Sequence, residues 1–304
     1  MVLARKKVII LGCGYLGEYV ARDFARRDCE VVAVRRDWPR ACLEERENPH
    51  IRRLSLDLHQ PDWYKTLPKE PTIVLNFLSA GGQGLEGYRR NYLESQQRIA
   101  QWLDQLSSPP EHYLFTSSSR VYPQDGGRWV GEADAPEHLS EDDAGDLLRQ
   151  AEKAIFAWPE GLVEKRTVLR IAGIYGPGRN FLLRQIKAGG SFVREYCQHY
   201  LNLIRVEDIV TAITAVLDTP REESRKIYNL SDGNPSRKEE VLLWLALKTG
   251  RKTPLWAGPE SSKVSFRGRA GVRTSRRIDT RKIRRETKWQ PQYLDFQEGF
   301  KELI

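Results

Sequence analysis

Short unbroken apolar runs alternate along the chain with longer stretches whose apolar positions recur every three or four residues. Val8-Ile9-Ile10-Leu11 is the first run and predicts a buried strand, and the helically spaced Tyr19-Val20-Ala21 and Phe24-Ala25 follow it. Residues 30–34 predict a second strand and 51–56 a third; 72–78 is a fourth, unbroken as a strand covered on both faces should be. A helix is expected from roughly 85 to 106, stopped by Ser107-Ser108-Pro109-Pro110, and a fifth strand at 113–116. The next twenty or so residues, rich in Gly, Asp and Glu, predict an exposed loop. A helix from about Asp142 to Trp158 and a sixth strand at 166–171 complete the series. Strand alternating with helix over this length predicts an α/β protein with a doubly wound parallel sheet of Rossmann type.

Beyond Asn180 the rhythm changes. Residues 181–186 read as helix, 200–204 as strand, and Glu207-Asp208 opens an apolar helix reaching Leu217. A short strand is expected at 227–232 and a helix over 236–248, starting at Ser236. The resulting division is a dinucleotide-binding domain, 1–178 with a return segment at about 206–232, and a smaller C-terminal α/β substrate domain from 179–205 and 233–304.

Composition narrows the picture. Of 304 residues, 40% are apolar and 30% charged, as in soluble globular proteins, and the uncharged apolar runs are far too short to span a bilayer. The charged start leads straight into the first strand, with no signal peptide, so a cytoplasmic, membrane-free protein is expected. Cys13, Cys29, Cys42 and Cys197 lack metal or redox spacing and read as free thiols, Cys13 as a small turn residue. The five histidines form no ligand pair, so no metal is expected. Net charge is +8, yet residues 263–288 alone hold eleven Lys or Arg against two acids. The remainder is close to neutral, which argues against nucleic-acid binding.

Candidate chemistry begins where the first strand ends. Gly12-x-Gly14-x-x-Gly17 stands between strand and helix; Gly12 makes the tight turn, Gly14 admits a pyrophosphate, and Gly17 lets the helix pack closely. Tyr15 and Leu16 open that helix at the anion-facing end. Arg35-Arg36-Asp37 closes the second strand. Arginines there accept a 2′-phosphate, so NADP is favoured, while Asp37 keeps NAD open. Ser79-Ala80-Gly81-Gly82 follows the fourth strand, at the kind of strand end where open α/β sheets bind ligands.

These marks, with Asp57-Leu58, Ser117-Ser118-Ser119-Arg120-Val121-Tyr122, Arg170-Ile171-Ala172-Gly173-Ile174-Tyr175-Gly176-Pro177-Gly178, Val206-Glu207-Asp208 and Tyr228-Asn229-Leu230-Ser231-Asp232, resemble the extended short-chain dehydrogenase/reductases of NAD-dependent epimerase/dehydratase type over nearly the whole chain. The resemblance implies that Asp57 and Leu58 meet the adenine, that Ser79 and Ala80 line the dinucleotide, and that Ile174 lies beside the nicotinamide. It implies that Ser118 is the catalytic serine on the substrate oxygen, matches Asn91 to the family's helix asparagine, and makes a homodimer possible. Tyr122 and Tyr175 are candidate proton donors and equally read as packed core aromatics.

The chain departs from the family in the next helix. The Tyr-x-x-x-Lys pair, whose lysine lowers the tyrosine pKa for proton exchange, aligns with Ala144 and Leu148, and 140–165 holds no tyrosine. The basic segment 263–288 reads either as a solvated loop or, through Arg267, Arg269, Arg273, Arg276 and Arg277, as a grip on a diphosphate. Two functions are therefore carried forward. One is an NAD(P)-dependent oxidoreductase or epimerase-like enzyme on a small substrate, phosphorylated or nucleotide-linked. The other is a non-catalytic dinucleotide-binding sensor or assembly module.

Overall fold

The computed structural model describes residues 5–39, 48–137, 143–251, 253, 255–257 and 274–304. Cys42, Arg267, Arg269, Arg273 and the expected helix start at Asp142 lie outside the described residues. The central sheet has seven strands: β1 (Lys7–Leu11), β2 (Glu30–Arg35), β3 (Ile51–Ser55), β4 (Ile73–Asn76), β5 (His112–Ser118), β6 (Lys165–Ile171) and β7 (Arg225–Leu230). Their order is β7-β6-β5-β4-β1-β2-β3, and β1 with β2, β1 with β4, β2 with β3 and β4 with β5 all pair in parallel. The direction of winding reverses between β1 and β4, the switch point at which open α/β sheets leave a crevice.

The elements form where the apolar pattern places them. In β1 the residues after Lys7 are all buried, as are all four of β4. Helix α1 (Tyr15–Arg26) buries Leu16, Val20, Ala21 and Phe24 on one stripe. After β4 the chain forms α2 (Gly84–Tyr88), a wide π turn from Arg89 to Glu94, and α3 (Ser95–Leu103). Helix α4 (Ala144–Phe156) is capped by Asp143, whose side chain accepts the Gly145 amide at 2.6 Å.

By contacts the chain divides into two units. The first comprises residues 1–121, 135–170 and 212–228; the second comprises 122–134, 171–211 and 229–304. The core of the first unit gathers Ile9, Leu11, Val74, Trp102, Phe115 and Ile155 between sheet and helices. The second unit has its own core, with Leu183, Phe192, Leu242, Leu245, Phe296 and Phe300 among its members.

Three expectations are corrected in the second unit. The stretch after Tyr122 is not a bare loop: Arg128–Val130 is a strand and pairs in parallel with Arg276–Ile278. The run at 200–204 is two strands, Tyr200–Leu201 pairing with Ser236–Arg237 and Leu203–Arg205 pairing with Gly173–Tyr175. The cause is Asn202, whose side chain donates to the Arg276 carbonyl at 2.9 Å and accepts the Ile278 amide at 2.7 Å. The described part of the basic segment is likewise ordered, as the strand Arg276–Ile278 and the helix Arg281–Thr287.

His112, at the start of β5, gives the first unit a pH dependence. It is 5% exposed, and its Nδ1 has no hydrogen-bond partner among the described residues. Burial, reinforced by Arg221, Lys165 and Lys6, pushes its pKa down to about 3. The unfolded chain therefore binds a proton below its ordinary 6.5 that the folded chain refuses. Stability should fall as pH drops from about 6.5 towards 3, by up to ~1.4 kcal/mol per pH unit. Urea unfolding across this range should show a shallower acid decline in His112→Asn than in the parent chain.

Candidate active site

The carboxyl edges of β3, β2, β1, β4 and β5, in that spatial order, bring together the residues singled out in the first half of the sequence. The β1–α1 connection is the centre. Gly12 has φ +80°, and a Cβ there would lie 2.7 Å from the Leu78 amide nitrogen, so only glycine lets the two strand ends approach. Gly12 and Cys13 donate their amides to the Val34 carbonyl at 3.0 and 2.8 Å, tying this turn to β2. A Cβ at Gly17 would meet the Cys13 sulfur at 3.1 Å, the close helix-to-strand packing expected of it.

Gly14 differs. A Cβ there would meet nothing nearer than the Gly12 carbonyl at 3.9 Å. It is the N-cap of α1, and no side-chain hydrogen bond caps that end of the helix. The open space and the uncapped helix end fit an anionic ligand, and both are built from backbone.

On one side of this cradle lie Arg35, half-buried, and Arg36, exposed, at the end of β2. The Arg36 guanidinium reaches within 3.8 Å of where a Cβ of Gly81 would stand, so it extends over the loop that follows β4. Asp57 accepts the His59 amide at 3.0 Å and pairs with Arg90 at 3.4 Å, while Leu58 is buried.

On the other side, the Ser79–Ala80 loop is set by two asparagines. Asn91, in the π turn, donates to the Ser79 carbonyl at 2.9 Å. Asn76, fully buried, accepts the Leu78 amide at 3.1 Å and donates to the Tyr113 hydroxyl at 2.8 Å. Tyr113 in turn donates to Gln96 at 2.7 Å, and Gln96 to the Tyr92 carbonyl at 2.8 Å. Every polar atom along this line has a partner, which fixes the end of β4 against α3.

Ser117 and Ser118 belong to β5 itself rather than to the loop after it. Ser117 is buried and donates to Glu152 of α4 at 2.5 Å. Arg170 of β6 holds the same carboxylate with Nε at 3.1 Å from both oxygens and an Nη at 2.7 Å, each side chain being 4% exposed. Sequence reasoning missed this triad, since nothing local marks Glu152 as the partner of Ser117 and Arg170. Ser118 is half-buried, and its hydroxyl accepts the Arg120 amide at 3.2 Å. In α4, Ala144 is 2% and Leu148 0% exposed, so both are buried.

The remaining candidates lie in the second unit. Tyr122 is buried and donates its hydroxyl to Asn229 at 2.6 Å. Ile174 is half-buried on the Gly173–Tyr175 strand. Tyr175 is buried and stacks on Phe300 at 4.6 Å; burial first, and then the charge of Asp232, push its phenol well above the usual range. Arg277 lines a cavity of about 990 Å³ with Trp129, Tyr200 and Trp244, its guanidinium 5.0 and 5.1 Å from the rings of Trp129 and Tyr200. Among the described residues no cluster of His, Cys, Asp and Glu could hold a metal ion, and no helix is long and apolar enough to cross a membrane.

Comparison with known proteins adds the following. The pattern of the NAD dependent epimerase/dehydratase family matches residues 8–231. Protein YeeZ of Escherichia coli strain K12 is 26% identical over 240 residues, 76% of this chain and 80% of YeeZ. Among solved structures, MoeE5 in complex with UDP-glucuronic acid and NAD superposes with a TM-score of 0.77 at 22% identity, covering 97% of this chain and 96% of MoeE5. UDP-glucuronic acid 4-epimerase from Bacillus cereus in complex with NAD gives 0.77 at 15% identity, over 96% of this chain and 93% of its own. At these identities the structural likeness establishes a shared fold.

Two predictions follow from the geometry. Gly12→Ala should cost at least ~2 kcal/mol in urea unfolding, because strain at positive φ adds to a backbone clash, whereas Gly14→Ala should cost under ~1 kcal/mol. Glu152→Gln leaves the buried Arg170 without its counter-charge and should cost about 3–5 kcal/mol; the paired change to leucine at 152 and 170 should cost clearly less.

Proposed function

The chain belongs to the NAD-dependent epimerase/dehydratase family, and on that footing we propose that it binds a nicotinamide dinucleotide, NADP in preference to NAD, along the carboxyl edge of its parallel sheet. The observation that carries this reading is the cradle at Gly14, open to a ligand and facing the uncapped start of α1. The α1 amides at Tyr15, Leu16 and Gly17 would hold the pyrophosphate. Arg35 and Arg36 would hold a 2′-phosphate, Asp57 and Leu58 the adenine, and Ser79 and Ala80 the flank of the dinucleotide. Ile174 is assigned to the nicotinamide by the family resemblance. When bound, the cofactor supplies or accepts a hydride at its nicotinamide ring.

The substrate we propose is a small alcohol or carbonyl compound, phosphorylated or nucleotide-linked, as MoeE5 and the Bacillus enzyme are in complexes with UDP-sugars. Ser118 would hydrogen-bond the substrate oxygen and polarise it. The residues at the usual Tyr and Lys positions, Ala144 and Leu148, carry no titratable proton. Tyr122 already commits its proton to Asn229, which leaves Tyr175, an acidic side chain and water as sources. Burial raises the Tyr175 phenol, which keeps its proton more firmly and makes it a weaker donor than an ordinary tyrosine, so an acidic side chain or water is favoured as the proton source. The domain roles follow: residues 1–178 with the return at about 206–232 hold the cofactor, and 179–205 with 233–304 form the substrate domain. A homodimer in the cytoplasm completes the reading.

The burial of Ala144 and Leu148 supports a second reading, a dinucleotide-binding module without turnover. One set of measurements separates the two. Calorimetric titration should give micromolar NADPH binding. Arg35→Ala and Arg36→Ala should weaken NADPH more than about tenfold and NADH far less, because only NADPH offers the phosphate. Gly14→Ala should weaken both. Substrate-dependent NADPH oxidation across carbonyl and sugar-nucleotide panels, lost in Ser118→Ala by about 10²-fold or more, supports the enzyme. Tight cofactor binding with no turnover supports the module. Failure to bind either nucleotide rejects both.

A further inference from the structure

We propose that Arg120 is a specificity-determining residue of this site and selects a substrate that carries a carboxylate close to its reacting alcohol or carbonyl carbon. The proposal rests on the dinucleotide reading above and deepens it. Strand order gives the direction. Arg35 and Arg36 stand at the end of β2, the glycine cradle at the end of β1, Ser79 at the end of β4 and Ser118 at the end of β5. With a 2′-phosphate at the first of these and the pyrophosphate at the second, the reacting end falls at β4 and β5. Arg120 stands there, two residues beyond Ser118, on the single turn Ser119–Val121.

Its backbone is fixed. The Arg120 amide donates to the Ser118 hydroxyl, and a Cβ at Gly145 would lie 2.6 Å from the Arg120 carbonyl oxygen, so α4 is packed directly against this turn. Its side chain is exposed, with the guanidinium 5.6 Å over the ring of Tyr88, itself stacked on Tyr92 at 5.2 Å. A guanidinium lying over an aromatic ring leaves the N–H groups of its edge pointing outward, in the plane that a carboxylate meets with two bonds. No side-chain hydrogen bond or ion pair engages that edge among the described residues. Other arginines of the same unit contrast with it: Arg53 faces Glu18, Arg90 faces Asp57, Arg149 faces Asp146 and Arg170 faces Glu152. A singly charged planar fork beside the substrate-polarising serine matches a carboxylate in charge and shape. A phosphate dianion is better matched by several donors.

The test uses the full chain saturated with whichever nicotinamide nucleotide it binds. The probes are matched pairs that differ only in the acid: UDP-glucuronic acid against UDP-glucose, and 2-oxo acids against their amides. Calorimetry gives the dissociation constants, and NADPH absorbance the turnover. The carboxylate member of at least one pair should be favoured about tenfold or more. Arg120→Gln should bring that ratio to about one and Arg120→Lys to an intermediate value, with nucleotide affinity and melting temperature unchanged in both. A ratio that persists in Arg120→Gln overturns the proposal, as does a parent chain that binds nucleotide but favours no carboxylate; Arg120 is then a solvated surface charge. Preference for a phosphate monoester over the matched carboxylate also overturns it. Failure to bind any nicotinamide nucleotide is a different result, because it rejects the site itself and the proposal with it.

Discussion

The buried carboxylate of Glu152 is the constraint on which the first unit depends. Two charges with side chains 4% exposed are tolerable only when each meets the other squarely, and Arg170 does so with both Nε and an Nη. The remaining acceptor capacity of Glu152 is taken by Ser117. One side chain of α4 thus joins β5 and β6, and because Ser117 adjoins Ser118, the same contact sets where the candidate catalytic hydroxyl stands. The energetic and the functional arguments meet in two consecutive residues of one strand.

A comparable division of labour runs through the end of β4. The fully buried line from Asn76 through Tyr113 to Gln96 is polar yet completely partnered, so it orients the chain without the cost of an orphaned group. Asn91 continues it at the next loop by holding the Ser79 carbonyl from a π turn, where the widened backbone carries the side chain inward to 5% exposure. The cradle side of the site is backbone and glycine; the opposite side is positioned by amides and hydroxyls.

Much of this was legible in the sequence, for a physical reason. A buried parallel strand must be apolar along its length, and a turn passing under another chain segment must be glycine, so β1, β4 and the Gly12–Gly17 turn declare themselves locally. What stayed hidden depends on partners remote in the chain. Nothing around Arg128–Val130 signals a strand, because its partner is Arg276–Ile278, almost 150 residues on. The apolar run at 200–204 gives no sign of its break, because Asn202 is claimed by that same distant strand. Glu152 reads as one more helix acid until Arg170 and Ser117 are placed beside it. The positions of Ala144 and Leu148 were legible, whereas the packing that buries them was not.

The way the chain is shared between its units bears on how the protein is made. It passes from one unit to the other five times, and the first unit is complete only when residues 212–228 return to supply most of β7. At about 5–20 residues per second of synthesis, the first 121 residues wait roughly 5–20 s for that strand. Once made, β6 lacks its outer neighbour for roughly the last 3–11 s of this interval, and its open edge offers pairing to any other nascent strand. A shortened product ending before residue 212 would keep that edge permanently, which makes β6 the segment through which truncated chains would associate.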